Sequence, residues 1–367
     1  MTHSANTSWA SAGHGVPDAA EVDTSTSQIA AGLSLPIGFE VIAGDPDLGP
    51  AVATSLAKVE KQLREAISHS DPLADATSRH LVEAGGKRIR PLLTILASHL
   101  GDAANAKVTQ AAVVVELTHL ATLYHDDVMD SAPYRRGGPT AHEVWGNSVA
   151  ILTGDLLFAR ASILVSELGG EALGIQARTF ERLCLGQLHE TVGPREGDDA
   201  VEHYLSVIAD KTGSLVAASG QLGALFAGAD EQIIQTMVSY GERVGVAFQL
   251  ADDVIDVTGI KKVSGKSPGT DLREGVPTLP VLLLRKAADD GDASAAAVID
   301  LVDGDLTTDE ALAGAVTAVR EHPVTGQAWE VAQQWADDAV ASLDPLPEGA
   351  VKNALSGFAQ AVVTRSA

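Results

Sequence analysis

Sulfur chemistry is nearly absent from this chain, whose 367 residues include one cysteine, Cys184. A single thiol permits neither an intrachain disulfide nor a cysteine-based zinc site, and such usage fits a reducing cytoplasm. Aromatic residues are scarce at 4%, while hydrophobic residues reach 45%. The apolar set is mostly Ala, Leu and Val, a mixture that favours close-packed helices. Positive charge is short as well. The 25 Lys and Arg stand against 49 Asp and Glu, for a formal net charge of -24. That balance excludes a basic nucleic-acid footprint and suits a protein that attracts divalent cations. An anionic substrate would therefore need a local basic cluster. No unbroken apolar run reaches about eighteen residues, so no membrane span is expected. Met1 to Ala30 has neither the basic start nor the apolar run of a secretory signal.

Residues 1–45 are rich in Ser, Thr, Ala, Gly and Pro. They are expected to form a disordered or loosely packed extension, with Leu33 to Ile42 as a short apolar piece that docks on the body. Beyond it the periodicity is helical. Val52, Leu56, Val59, Leu63 and Ile67 recur at spacings of three and four, marking one apolar helix face. Asp71-Pro72 has the form of a helix start, and Gly85-Gly86 of a helix end. Lys107 to Asp130 is apolar nearly all round between Ala111 and Leu123, which predicts a central buried helix. Further helices are expected over 146–168, 173–192, 200–228, 231–258 and 278–288. No strand alternation is convincing. The fold class expected is all-α, a single large helix bundle around a central cavity over residues 46–367.

Two acidic motifs stand at the ends of apolar helical runs. Asp126, Asp127 and Asp130 follow the spacing DDxxD, and Asp252, Asp253 and Asp256 repeat it. On a helix, residues three and four apart share a face, so each trio repels itself. A cation that neutralises them is the simplest explanation, and hard oxygen ligands suit Mg²⁺. A single trio would read equally well as a solvated acidic helix end. Two copies in matching apolar contexts point to metal, and the six aspartates are the candidate ligands.

The basic clusters lie beside these motifs. Gly85-Gly86-Lys87-Arg88-Ile89-Arg90-Pro91 sets three cations at a helix junction, where glycines allow close approach to a phosphate. Arg135-Arg136 follows the first trio directly, and arginine offers bidentate contacts to phosphate oxygens. His119 lies two helical turns before Asp126. Lys211-Thr212 sits inside an apolar helical run, and Lys266 lies in a glycine-containing loop after the second trio.

In order, GGKRIRP at 85–91, HDDVMDSAPYRRG at 125–137, KTGSL at 211–215, FQLADDVID at 248–256 and GKSPGTDLREGVPTLP at 265–280 closely resemble the trans-prenyl diphosphate synthases, or polyprenyl synthetases. The resemblance runs from about Ala51 to Arg365. It implies an enzyme that condenses isopentenyl diphosphate with an allylic diphosphate. Lys87, Arg90, His119 and Arg136 are then expected to hold isopentenyl diphosphate, and Arg135, Lys211, Thr212, Gln249 and Lys266 the allylic diphosphate. The aspartates are expected to bind three Mg²⁺ ions that bridge to that diphosphate, with Lys211 and Lys266 aiding departure of the leaving group. The resemblance also implies a homodimer. One position departs from it: many relatives have lysine where this chain has Val276, so one diphosphate contact is missing unless Arg273 or Lys262 replaces it.

Short-chain relatives carry a bulky aromatic four or five residues before the first aspartate. Here those residues are Thr122 and Ala121. The tail is expected to pass on toward Thr118, Leu117 and Val113, giving a C20 or longer all-trans product, with a long-chain polyprenyl diphosphate preferred over geranylgeranyl diphosphate. Such a product could bring the enzyme to membranes. A terpene cyclase would lack the second DDxxD and GGKRIRP. A non-catalytic partner subunit would lack one acidic motif.

Overall fold

The computed structural model describes residues 38–259 and 268–364. It opens with α1 (Glu40–Gly44), α2 (Leu48–Ile67), α3 (Pro72–Glu83), α4 (Ile89–Ser98) and α5 (Ala106–Met129). A small antiparallel ribbon follows, β1 (Tyr134–Arg135) with β2 (Gly138–Pro139). Then come α6 (Ala141–Trp145), α7 (Asn147–Leu168), α8 (Gly170–Val192) and α9 (Ala200–Ile208). A π-helical turn, Ala209–Gly213, runs from α9 directly into α10 (Ser214–Phe226). The rest is α11 (Glu231–Thr258), α12 (Thr270–Glu274), α13 (Leu279–Asp289), α14 (Ala293–Val302), α15 (Asp309–Glu321), α16 (Pro323–Ser342) and α17 (Ala350–Thr364). The expected all-α class holds.

Local chemistry sets the helix starts. Asp71 accepts hydrogen bonds from the N–H groups of Leu73 and Ala74, with Pro72 in the first turn. Asn105 caps α5 and Asp230 caps α11 in the same way, satisfying donors that a helix start leaves orphaned. Tertiary packing sets the rest. Every residue of α5 from Ala111 to Thr118 is buried, because α2, α4, α7 and α10 surround it. The β-branched run Val113-Val114-Val115 stays helical under that burial, although its intrinsic propensity is modest.

The apolar interior divides. A main cluster takes Val113, Leu117, Leu120 and Ala121 from α5. A second takes Ala111, Val114 and Val115 from the other side of the same helix, with residues of α7, α8 and α10. At the amino-terminal edge, Phe39 stacks on Phe358 of α17 with ring centroids 4.4 Å apart, and Ile42 is buried. The described part of the Leu33 to Ile42 piece therefore packs on the body.

One described helix, α7, is long and apolar enough to cross a bilayer, with a mean hydropathy of 1.7 over its best window. Its apolar run is not unbroken, because Asp155, Arg160 and Glu167 interrupt the sequence. In the fold, α7 buries Ala150, Leu157, Ala161 and Val165 against its neighbours. Its outer side leaves Ile151, Leu152 and Ile163 exposed. On α8, Leu173, Phe180, Leu185 and Leu188 are exposed as well.

Candidate active site

The first acidic trio closes α5. Asp127 is buried, while Asp126 is half-buried and Asp130 is exposed at the helix end. Burial pushes the Asp126 carboxyl up to about 6, with Lys211 opposing and Asp130 reinforcing the shift. Asp127 accepts a hydrogen bond from Arg135, and its other oxygen is buried without a partner. Burial outweighs Arg135 there and raises the Asp127 pKa too.

The second trio lies in the last turns of α11. Asp253 is buried and accepts from the Tyr204 hydroxyl, from Leu279 N–H at 3.1 Å and from Gln249 Nε2 at 3.3 Å. Burial still pushes it up to about 7. Asp252 and Asp256 are half-buried, and Asp256 accepts from the Asp271 N–H at 3.2 Å.

A cavity of about 500 Å³ opens beside Asp126 at the end of α5, and the other five aspartates are not among its lining residues. His119, Thr122, Leu123 and Asp126 of α5 line it opposite Val244, Phe248 and Gln249 of α11. Among the described residues, no three acidic, imidazole or thiol groups form a ready-made metal cage. Carboxylates that are raised by burial, one with an orphaned oxygen, fit a hard divalent cation whose shell is completed by a phosphate and water.

Lys211 lines the cavity beside the first trio. It donates to Glu190 at 2.5 Å, and the charges of Asp126 and Asp130 help to raise its pKa against burial. Its backbone is the π-helical turn, a feature that often marks functional positions. The turn is pinned by Arg182, which bonds Asp210 at 2.6 Å and Glu242 at 3.0 Å. Helix α8 passes so close that a Cβ on Gly186 would sit 2.8 Å from the Lys211 nitrogen. Thr212 lines the cavity beside Lys211.

The basic run at 85–91 is split by the fold. Arg88 adopts a left-handed backbone, φ 49°, and turns inward to pair with Glu60 and with Glu116 at 2.8 Å. Lys87, Arg88 and Arg90 all line the cavity wall, where Arg88 stays tied to Glu116. Arg90 has a buried Nε without a partner, and burial lowers its pKa to about 10. Arg136 and Gly137 turn the β1–β2 ribbon with φ 53° and 80°, the positive-φ pair that tight hairpins use. Arg136 thereby bonds Gly85 O and Leu81 O and lines the cavity with Arg135. Burial and the surrounding arginines push His119 well below its usual range, so it is neutral.

Lys87, Arg90, His119, Arg135, Arg136, Lys211, Thr212, Gln249 and Asp126 thus meet around one space. Lys266 and Lys262 lie outside the described residues. Val276 is partly exposed, and Arg273 pairs with Asp309 at 2.6 Å. Of the four chain-length positions, Thr122 lines the cavity, whereas Ala121, Leu117 and Val113 pack into the main core cluster. The reason is helical phase. At 3.6 residues per turn, the fifth residue before Asp126 lies about 140° round the helix, while the fourth lies about 40° away. Glu116, Glu190 and Tyr204 were not singled out in the sequence. Glu116 carries one signal, a lone charge inside an apolar helical run; the other two carry none.

Residues 71–316 match the polyprenyl synthetase family. The chain is 44% identical to a nonaprenyl diphosphate synthase of Mycobacterium tuberculosis over 324 residues, covering 88% of this chain and 96% of that one. It is 39% identical to a dimethylallyltranstransferase of the same organism, covering 86% and 95%. A crystal structure of geranylgeranyl pyrophosphate synthase from Corynebacterium glutamicum, complexed with calcium and isoprenyl diphosphate, superposes with a TM-score of 0.78 at 42% identity, covering 88% and 98%. The sequence motifs, the helical bundle and these likenesses agree: the chain belongs to the polyprenyl synthetase family, the trans-prenyl diphosphate synthases.

Proposed function

We propose that this protein condenses isopentenyl diphosphate with an allylic diphosphate to make an all-trans polyprenyl diphosphate of C20 or longer. The observation that carries this reading is the single cavity with Asp126 and Gln249 on facing walls and the cations Lys87, Arg90, Arg135, Arg136 and Lys211 around it. The six aspartates Asp126, Asp127, Asp130, Asp252, Asp253 and Asp256 would hold Mg²⁺, three ions by resemblance. When bound, that metal supplies Lewis-acid neutralisation of the leaving diphosphate.

The chain's own residues do the rest. Lys87, Arg90, neutral His119 and Arg136 hold isopentenyl diphosphate on the α4 side. Arg135, Lys211, Thr212 and Gln249 hold the allylic diphosphate, and Lys266 joins them by resemblance. The allylic C–O bond breaks with its electron pair going to diphosphate, and Lys211 and Arg135 stabilise that charge. The isopentenyl double bond attacks the allylic cation, and a proton leaves to the departing diphosphate. Fixed orientation and exclusion of water are the bundle's main contributions. No bulky group stands at Thr122, which supports a tail that passes this level.

The exposed apolar residues on α7 and α8 support a homodimer with these helices at its interface, and the single cysteine fits a cytoplasmic location. A sedimentation experiment in which Leu152→Glu leaves the molecular mass unchanged would count against that interface. The activity itself is tested by incubating the purified protein with Mg²⁺, isopentenyl diphosphate and each allylic primer. Chain-elongated diphosphates of at least C20 are expected. Absence of any elongated product would refute the reading.

A further inference from the structure

The cavity has an apolar wall beside its basic one. Ile89, Val244, Phe248 and Phe358 line it with the cations. Ile89 stands between Lys87 and Arg90 on the isopentenyl side as read above, and it packs in the same core cluster as Phe248 and Phe358. Among the described residues, Phe358 is the one member of α17 that lines the cavity. It is buried, at 4% exposure. The last described helix thus reaches the site through one aromatic side chain.

The opposite end of the described chain holds that side chain. Phe39 stacks on Phe358 with the ring planes 17° apart. It is fully buried and is not a lining residue, so it lies behind Phe358. The backbone crosses α17 closely here: a Cβ on Gly38 would sit 2.7 Å from the Phe358 Cα. Ile42 of α1 is a second buried anchor. Helix α17 is itself fixed to α11, because the Tyr240 hydroxyl donates to Leu355 O at 2.7 Å in the interior. Leu355 is one turn before Phe358. The remaining freedom is rotation of the Phe358 side chain, and in a close-packed interior the Phe39 ring blocks it. Without Phe39 a void opens behind Phe358, and the ring can swing out of the wall.

Resting on the proposed condensation, we infer that Phe39 is a positioning residue for isopentenyl diphosphate. It acts through Phe358, holding the apolar surface against which the isopentenyl carbons lie while the cations take the diphosphate. A wall fixed in advance spares ordering on binding. The test is steady-state kinetics of the full chain with Mg²⁺ and a primer that the wild type elongates, each substrate varied in turn. Phe39→Ala is expected to raise KM for isopentenyl diphosphate by about tenfold, the scale of one misplaced apolar pocket contact, and to leave KM for the allylic diphosphate unchanged. Phe358→Ala should do the same, and Phe39→Ala should add nothing to it. If Phe39→Ala does not fold, as judged by its melting curve, Phe39→Leu replaces it with the same expectation. An unchanged isopentenyl KM in the folded variant overturns the brace, as does a fall in kcat alone, which a loss of folded enzyme would produce. Equal rises in both KM values, or additive effects of the two substitutions, overturn it too. A wild type that elongates no primer refutes the proposed activity instead.

Discussion

Arg88 donates to Glu116 at 2.8 Å, with the two side chains 10% and 3% exposed. This pair neutralises one cation of the run Lys87-Arg88-Ile89-Arg90 within the cavity wall and fixes the loop that presents the other two. Glu116 also draws on Arg90 and Arg136. A single buried carboxylate thus sits beneath the basic wall.

Removing it leaves Arg88 with Glu60 alone and the other arginines less balanced. Breaking a buried pair from one side costs about 3–5 kcal/mol. Glu116→Ala is expected to lower stability by roughly that amount in urea unfolding. It should also raise KM for isopentenyl diphosphate. Wild-type values for both would contradict the role given to the pair.

The two helix-end trios are expected to act together. Replacing Asp126 or Asp252 by Ala should cut turnover by at least about a hundredfold, the scale of losing one electrostatic stabiliser. The helical circular dichroism should be retained. Near-normal turnover of either variant would remove that aspartate from the metal site.

The buried carboxyls give the metal-free protein a pH dependence. Asp126 and Asp253 are raised to about 6 and about 7, above an unfolded value of about 3.9. Each binds more protons folded than unfolded in that window, so stability is lost as pH rises from about 4 through about 7. A divalent cation favours the charged forms and opposes the loss. Melting temperature in a chelator is expected to fall between pH 5 and pH 8. Added Mg²⁺ should raise it more at pH 8 than at pH 5, and an equal gain at both would exclude the linkage.

Gly186 tests the π-helical turn. An added methyl would meet the Lys211 backbone nitrogen at 2.8 Å and Asp210 Cβ at 3.1 Å. Gly186→Ala is therefore expected to displace Lys211 and lower kcat at least tenfold, while the helix content stays unchanged. If kcat is retained, the position of that turn does not control Lys211.

The sequence by itself determined the helical class, most helix boundaries and the motifs that nominate the site. Apolar periodicity, capping residues and the ordered acidic and basic motifs are local signals, readable within one or two turns. Tertiary structure decided which groups face which. Arg88 and Arg90 are two residues apart and both line the cavity, yet Arg88 pairs with buried Glu116 while Arg90 keeps a buried Nε without a partner, because a left-handed turn at Arg88 redirects the chain. Thr122 and Ala121 are neighbours, yet only Thr122 faces the cavity, because the bundle fixes the rotation of α5 against α2, α4, α7 and α10. Tyr204 reached Asp253, and Gln176 reached Thr118, across 49 and 58 residues of sequence. Such contacts depend on how helices pack around a shared interior, and no local pattern encodes them.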